Sequence, residues 1–546
     1  MAIRPRVRNL YYLKLIEPKN KQINALSFKR KAIDQWIDDL PTINKGMVTR
    51  QFHDKIKQIN NTIIDFQEQF DTLEALQPMY YTIEEFLHSK ICGQYLPLSE
   101  QVQKIVVLHV DILHEYANAY WYLLKTGAQQ PGGRSFVKKM PVLVHRLIRL
   151  LGNILKTHYL ANLAEPTWIW MDIHSLFNIL PDKTCEKSKI REYAISGEAN
   201  TTIADTYKQI IALSTADPFG MYNREILRTN HFLTRWAPAI KLEKIAPGLI
   251  PLGYFVSMDD DKAPSWATIS VDLDEESDIY QIYMDDMIKL MLKESDVVQT
   301  NLGRYYAATA YPFTHNCFDH ELIKHLQRQW EGKPLRQPVT FDSSLHREVA
   351  IGLNAISQAL IDINNNKTPA LFQAEVAAGK NLKCSLDSGN QVAIGSLVSY
   401  RKADSDKHHF GLGIISRMFT PNTESDTQFE LKNITNSVQA VTIELVVEDN
   451  KKTKDKKTIE KDPNYSHTTA LSFQKRNNGK IRHFLVIESR SFKVDDTIVI
   501  HDSGQSYGAV LIKQNNLGLA YVILEYQSIT VVKQLEAIPV TGYDFL

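Results

Sequence analysis

Cysteine is scarce in this chain: the four, Cys92, Cys185, Cys317 and Cys384, lie far apart and form no CxxC pair. That spacing excludes a disulfide framework and reads as the thiol usage of a reducing compartment. An excess of one charge is missing too, since 63 Lys and Arg stand against 62 Asp and Glu, a net of +1. So close a balance gives no global pull toward nucleic acid or an anionic membrane and leaves that to local patches. No apolar run reaches the roughly 18 residues that a membrane-spanning helix needs. The basic start, Met1-Ala2-Ile3-Arg4-Pro5-Arg6-Val7-Arg8, is followed by no apolar core of signal-peptide length. The expectation is a cytoplasmic protein with no membrane span.

Catalytic signatures are also absent. There is no GxSxG, no P-loop, no GxGxxG after a strand and no HExxH. Asp502-Ser503-Gly504-Gln505-Ser506 reads as a turn between strands. His315-Asn316-Cys317-Phe318-Asp319-His320, with His325 beyond, is the densest set of metal-ligand types, but no second pair stands at a recognisable spacing. A polar helix cap is the better reading there. His109 and His114, five apart, fall on different helix faces and read as packing residues. Asp272, Asp274, Glu275, Glu276 and Asp278 precede a helix, where acids favour its N-terminus. Gly132-Gly133-Arg134-Ser135 with Lys138-Lys139 reads as a hinge rather than an anion site. The reading is a non-enzyme with no metal and no cofactor.

What the chain does have is helical periodicity, then strands. At 546 residues it is too long for one ordinary core. Helices are expected at Phe28–Leu40, Val48–Phe70, Thr82–Leu87, Ser99–Lys125, Pro141–Leu163 and Thr167–Leu180, then at Thr202–Ser214, Asn223–Trp236 and Ile279–Lys293. Leu249–Met258 reads as extended and Glu321–Trp330 as a last helix. No fixed period of helix pairs is visible, so a bundle or an irregular solenoid is expected. From Gln391 to Val447, and on to Tyr526, short apolar runs rich in Val, Ile, Thr and Leu alternate with polar turns. Gly395 and Gly413 sit where a strand tolerates a bulge or a close backbone approach. Such short strands are most economically closed into an antiparallel barrel. The division expected is residues 1–240 as helical bundle or solenoid, 241–330 as a small strand insertion with closing helices, and 331–546 as barrel, with a mobile Lys-rich loop at 449–462.

The order of features resembles a family of bacterial PilZ-like proteins with a long helical N-terminal region. The resemblance is carried by Leu322-Ile323-Lys324-His325-Leu326-Gln327-Arg328-Gln329-Trp330, Arg336, Val349-Ala350-Ile351-Gly352-Leu353, Gly379, Gly395-Ser396-Leu397-Val398 and Gly411–Arg417. Upstream, Thr202–Tyr207, Ala216-Asp217-Pro218-Phe219 and Arg235-Trp236-Ala237 are similar to the family's helical part. PilZ domains are small barrels that bind cyclic di-GMP through an arginine-rich segment and an Asp/Asn-x-Ser-x-x-Gly turn. Arginine forks clamp phosphates and stack on guanine, while the acid or amide and the serine contact the bases. Here the corresponding turn is Ala374-Glu375-Val376-Ala377-Ala378-Gly379, which keeps only the glycine. The ligand residues implied are thus Arg336, Arg347 and Gly379, without the two polar contributors. Each lost contact costs about 1–3 kcal/mol, so cyclic di-GMP is disfavoured as a ligand of this barrel, with no affinity tighter than roughly tens of micromolar.

The function expected is that of a regulator or scaffold, with a degenerate barrel and protein partners on the helical region. The alternative is a nucleic-acid-associated protein using Lys475, Arg476, Lys480 and Arg482, beside Phe484. Interspersed acids and the near-zero net charge disfavour it.

Overall fold

A computed structural model of the chain describes residues 20–21, 28–129, 134–180, 183–193, 199–246, 249–267, 278–298, 317–333, 339, 346–377, 381–386, 391–403, 410–421, 426–446, 467–477, 479–488, 492–519 and 521–529. The chain divides into two compact units. One comprises Met1–Gln337, Ser385–Ile394 and Arg417–Phe429, and the other Pro338–Cys384, Gly395–Ser416 and Glu430–Leu546.

The first unit is built on α1 (Arg30–Asp38), α2 (Lys45–Asn60), α3 (Phe66–Ile91), α4 (Glu100–Gln129) and α5 (Arg134–Leu160). These are followed by α6 (Ile169–Asn178), α7 (Lys183–Glu186), α8 (Ile203–Thr215), α9 (Asn223–Trp236), α10 (Asp285–Glu294) and α11 (His320–Trp330). Apolar residues recur at helical spacing and meet in one core. Phe52, Ile56 and Ile59 of α2 pack with Leu73, Leu76 and Tyr80 of α3 and with Leu113, Tyr116 and Tyr120 of α4. Polar caps fix the starts: Asp65 accepts from the Gln67 amide at 2.8 Å and Thr202 from the Asp205 amide at 3.1 Å.

Two expectations need correcting here. Val48–Phe70 is not one helix, because α2 stops at Asn60 and α3 starts beyond Asp65 and continues through Thr82–Leu87. The Asn60 side-chain Nδ2 donates to the Glu115 carbonyl at 2.8 Å, and the Asn61 side-chain Nδ2 caps the helix end by donating to the Lys57 carbonyl at 2.9 Å. Nor is Ile279–Lys293 a single helix. Ile279–Tyr283 is a strand of a four-stranded sheet, between Lys241–Lys244 and Tyr254–Ser257, with Ser265–Trp266 at the edge. Its aromatic and β-branched residues fit the pleat better than a helix.

The second unit holds two barrels where one was expected. The first is formed by β1 (Arg347–Ile351), β2 (Phe372–Ala377), β3 (Asn381–Cys384), β4 (Leu397–Lys402), β5 (Gly411–Phe419) and β6 (Thr427–Thr435). It closes in the order β1-β2-β3-β6-β5-β4. The second is formed by β7 (Gln439–Leu445), β8 (Thr468–Asn477), β9 (Lys480–Ile487), β10 (Thr497–Asp502), β11 (Gln505–Gly518) and β12 (Tyr521–Ile529). Its order, β7-β8-β9-β12-β11-β10, repeats that of the first. Closure leaves no unpaired edge to aggregate. Gly413 is where β6 comes closest, since a Cβ there would meet the Lys432 carbonyl oxygen at 3.0 Å. Helix α12 (Leu353–Asn364) follows β1 through Gly352, at φ +87°. Its Leu353, Ile356, Leu360 and Ile363 share a core with Leu397 and Leu412 of the first barrel and Leu471, Phe473 and Val486 of the second.

Candidate functional site: a charged cleft among the helices

Four helices and one short hairpin of the first unit enclose a cleft of about 480 Å³. Helical spacing puts its walls in place. From α3 come Tyr81, Glu84 and His88, with Cys92 just past its end; from α5 come Arg149, Asn153 and Lys156. Each set recurs every three or four residues and so lies on one helix face. Asp205 and Gln209 of α8 and Arg224, His231 and Arg235 of α9 extend the cleft toward solvent. The hairpin of Ile190–Glu192 with Ala199–Thr201 brings in Glu192.

The deep wall is a network of paired charges. Arg149 donates to Glu192 Oε2 at 3.1 and 3.2 Å and to Gln209 Oε1 at 2.7 Å. The Tyr81 hydroxyl donates to the same carboxylate. Burial alone would raise the Glu192 carboxyl, but Arg149, His145, Arg146 and Tyr81 outweigh it and bring it down to about 2. Lys156 donates to Glu84 Oε1 at 3.0 Å, and the Tyr80 hydroxyl to the same oxygen at 3.1 Å. Behind this wall Arg146, 2% exposed, holds Glu74 in a two-point contact at 3.0 Å on each side. Desolvation holds the His145 imidazole down at about 3, and therefore neutral. With four cations (Arg149, Lys156, Arg224, Arg235) and four acids (Glu84, Glu85, Glu192, Asp205) lining it, the cleft presents both signs of charge. That suits a polar ligand carrying both an anionic group and hydrogen-bond donors.

The residues singled out from the sequence lie elsewhere. Arg336, Gly379 and the loop 449–462 fall outside the described residues, as do His315, Asn316, Asp272, Asp274, Glu275, Glu276 and Gly132-Gly133. Arg347 is on β1 and only 4% exposed, opposite Ala374 of β2 and Lys402 of β4. Ala374–Ala377 belong to strand β2 and not to a turn, a correction that follows from their ladder with Asn381–Cys384. Asp319 caps α11, accepting from the Glu321 amide at 2.8 Å, and His325 is buried with Nε2 at 2.9 Å from the Ala216 carbonyl. Lys475, Arg476, Lys480 and Arg482 come together on the exposed β8–β9 hairpin, where Lys475 faces Arg482 and Asn477 faces Lys480. Its phenyl rings are occupied: Phe473 stacks on Phe484 at 5.2 Å, with the Lys475 ammonium 5.6 Å from the Phe473 centroid. Arg482 is 3.4 Å from Glu525.

The cleft itself went unread in the sequence. Its signal was there in Glu84, His88 and Cys92 at steps of four, and in Arg149, Asn153 and Lys156 on an otherwise apolar helix.

Comparison with known proteins now bears on this unit. Residues 31–247 match the family model described as cyclic-di-GMP receptor FimW, N-terminal domain. The match covers less than half of the chain and takes in all four helices of the cleft. Together with the strands that follow it, the match bears out the resemblance to a receptor family with a long helical N-terminal region. No curated protein and no solved structure matches the chain. Among the described residues no helix is long and apolar enough to cross a membrane.

Proposed function

We propose that the chain is a non-enzymatic, cytoplasmic regulatory protein of the cyclic di-GMP receptor type, with its ligand seat in the helical cleft. The observation that carries this is the cleft's mixture of cations and acids, inside the segment that matches the receptor family. A cyclic dinucleotide asks for both. Its phosphates want guanidinium or ammonium donors, and a guanine offers acceptors on one edge and N–H donors on the other. Arg224 and Arg235 near the mouth suit the phosphates, and Asp205 and Glu85 suit guanine N–H groups. The first barrel is the poorer seat, because Arg347 is buried and faces Ala374. Engagement of a protein partner by the helical unit is part of the same reading.

Calorimetric titration of the full chain with cyclic di-GMP tests it. Saturable binding is expected, weakened roughly tenfold or more in Arg224→Ala and in Arg235→Ala, the scale of one charge-assisted hydrogen bond, and unchanged in Arg336→Ala. Loss in Arg336→Ala with the cleft variants unaffected would move the seat to the barrel. No binding by the wild-type chain at millimolar ligand would overturn the reading altogether.

A further inference from the structure

At the inner end of the same cleft, Glu84 and His88 stand one helical turn apart on α3, and His109 reaches the same point from α4. One ligand-type atom from each lies within 4.8 Å of the others, and all three residues are buried. The two imidazole rings are 5.2 Å apart, edge to face. We propose that Glu84, His88 and His109 bind a divalent transition-metal ion of the zinc type.

Two observations carry this beyond mere proximity. First, Nε2 of His88 and Nε2 of His109 are both buried without a hydrogen-bond partner. Buried polar atoms are seldom left so, since each orphan costs on the order of 1–3 kcal/mol. Second, the His109 tautomer is set. The Thr157 hydroxyl donates to the Asn153 carbonyl at 2.8 Å, so its oxygen accepts from His109 Nδ1–H at 3.2 Å. The lone pair of His109 is thereby placed on Nε2, the buried atom that has no hydrogen-bond partner. A hydrogen bond from the far ring nitrogen is how proteins orient metal-binding imidazoles.

Two histidines and one carboxylate suit zinc with its fourth position open to the cleft. Tetrahedral coordination wants donors about 3.4 Å apart, so the side chains must draw in from 4.0 Å between Glu84 Oε1 and His88 Nε2 and from up to 4.8 Å across the cluster. Lys156 is the competitor: its ammonium, 3.0 Å from Glu84 Oε1, must yield that oxygen or share the carboxylate. A second cluster, Glu444, His467 and His501, is different in kind, because His467 is 59% exposed and its Nδ1 already meets Glu444 at 2.9 Å.

The test uses the full chain, stripped with a chelator and titrated with Co²⁺ for its visible spectrum and with Zn²⁺ by chelator competition. One equivalent is expected to bind with low-coordinate cobalt bands, and zinc is expected to raise the melting temperature. His88→Gln and His109→Gln should abolish both effects while keeping the wild-type helical content. Thr157→Val, which frees the His109 tautomer without touching the metal, should weaken zinc roughly 10–100-fold. Lys156→Met should make stability more dependent on zinc. The proposal fails if the stripped chain takes up neither ion, if the two glutamine variants bind as the wild type does, or if binding is lost in His501→Ala instead.

Discussion

In the helical unit Glu84, Arg146, Lys156 and Glu192 are buried, as are five histidines, His88, His109, His145, His174 and His325. In the second barrel the inward positions are Val441, Ile443, Ala470, Leu485, Ile498, Ile500, Leu511, Val522 and Leu524. Among the described residues Arg347 is the one buried cation of the barrels. The barrel ion pair of Arg401 and Glu348, at 2.7 Å, is partly buried, as is the pair of Arg482 and Glu525 at 3.4 Å on its Glu525 side. An apolar interior is the cheaper way to hold a fold, because buried ion pairs at best balance their desolvation. The barrels follow that route. The helical unit keeps charge inside at an energetic cost, and such groups cluster where a protein binds something. The contrast puts charge inside the helical unit and apolar packing inside the second barrel.

Acid should break the comparison most strongly. Desolvation brings His109 and His174 down to about 4 and His145 to about 3, against 6.5 in the unfolded chain. The unfolded chain therefore takes up these protons first. The stability these groups give is complete above about pH 6.5 and declines as pH falls toward 4, by on the order of 10 kcal/mol for the three together. That rivals the whole stability of a domain. Hydrogen exchange at stepped pH should show α3, α4 and α5 losing protection while the β7–β12 strands keep theirs. Simultaneous loss in both units would refute the contrast.

A pair of substitutions sharpens it. Glu192→Gln removes the carboxylate that faces Arg149 and lies 3.8 Å from Arg146, leaving buried positive charge uncompensated. Denaturant unfolding should register about 3–5 kcal/mol. Arg401→Ala in the first barrel breaks a single pair whose side chains are 16% and 18% exposed, and should cost less, about 1.5–2 kcal/mol. Equal costs would mean that the Glu192 network is no more deeply committed than the single barrel pair.

How much of this was legible depends on range. The helices and the strand texture follow local periodicity, and both appear nearly where the pattern puts them. Barrel closure does not: strands β3 and β6 become neighbours across more than forty residues, and alternation within a strand says nothing about its distant partner. A helix of the first barrel, α12, has no counterpart among the described residues of the second, which hides the repeated strand order from a period search. In the cleft, Glu84 and His88 share one turn and were readable as a pair. Glu192 reaches Arg149 from 43 residues downstream, on a three-residue strand with no motif of its own.

The smallest effect is expected at the basic hairpin, and it tests the rival reading. Lys475, Arg476, Lys480 and Arg482 are exposed, so alanine at Lys475 and Arg482 together should change stability by no more than about 0.5 kcal/mol. Partial burial, with Lys432 nearby, already disfavours the charged form of Lys475. Glu525 faces Arg482, and Phe473 is 4% exposed, stacked on Phe484 rather than offered to a base. Four cations of this kind neutralise at most a few phosphates, so log affinity for single strands should fall with log salt at a slope no steeper than about −3. At physiological salt no mobility shift with RNA or DNA is expected. A retained shift with a steeper slope, lost in the Lys475→Ala/Arg482→Ala double variant, would turn the hairpin into a nucleic-acid site and move function from the helices to the barrels.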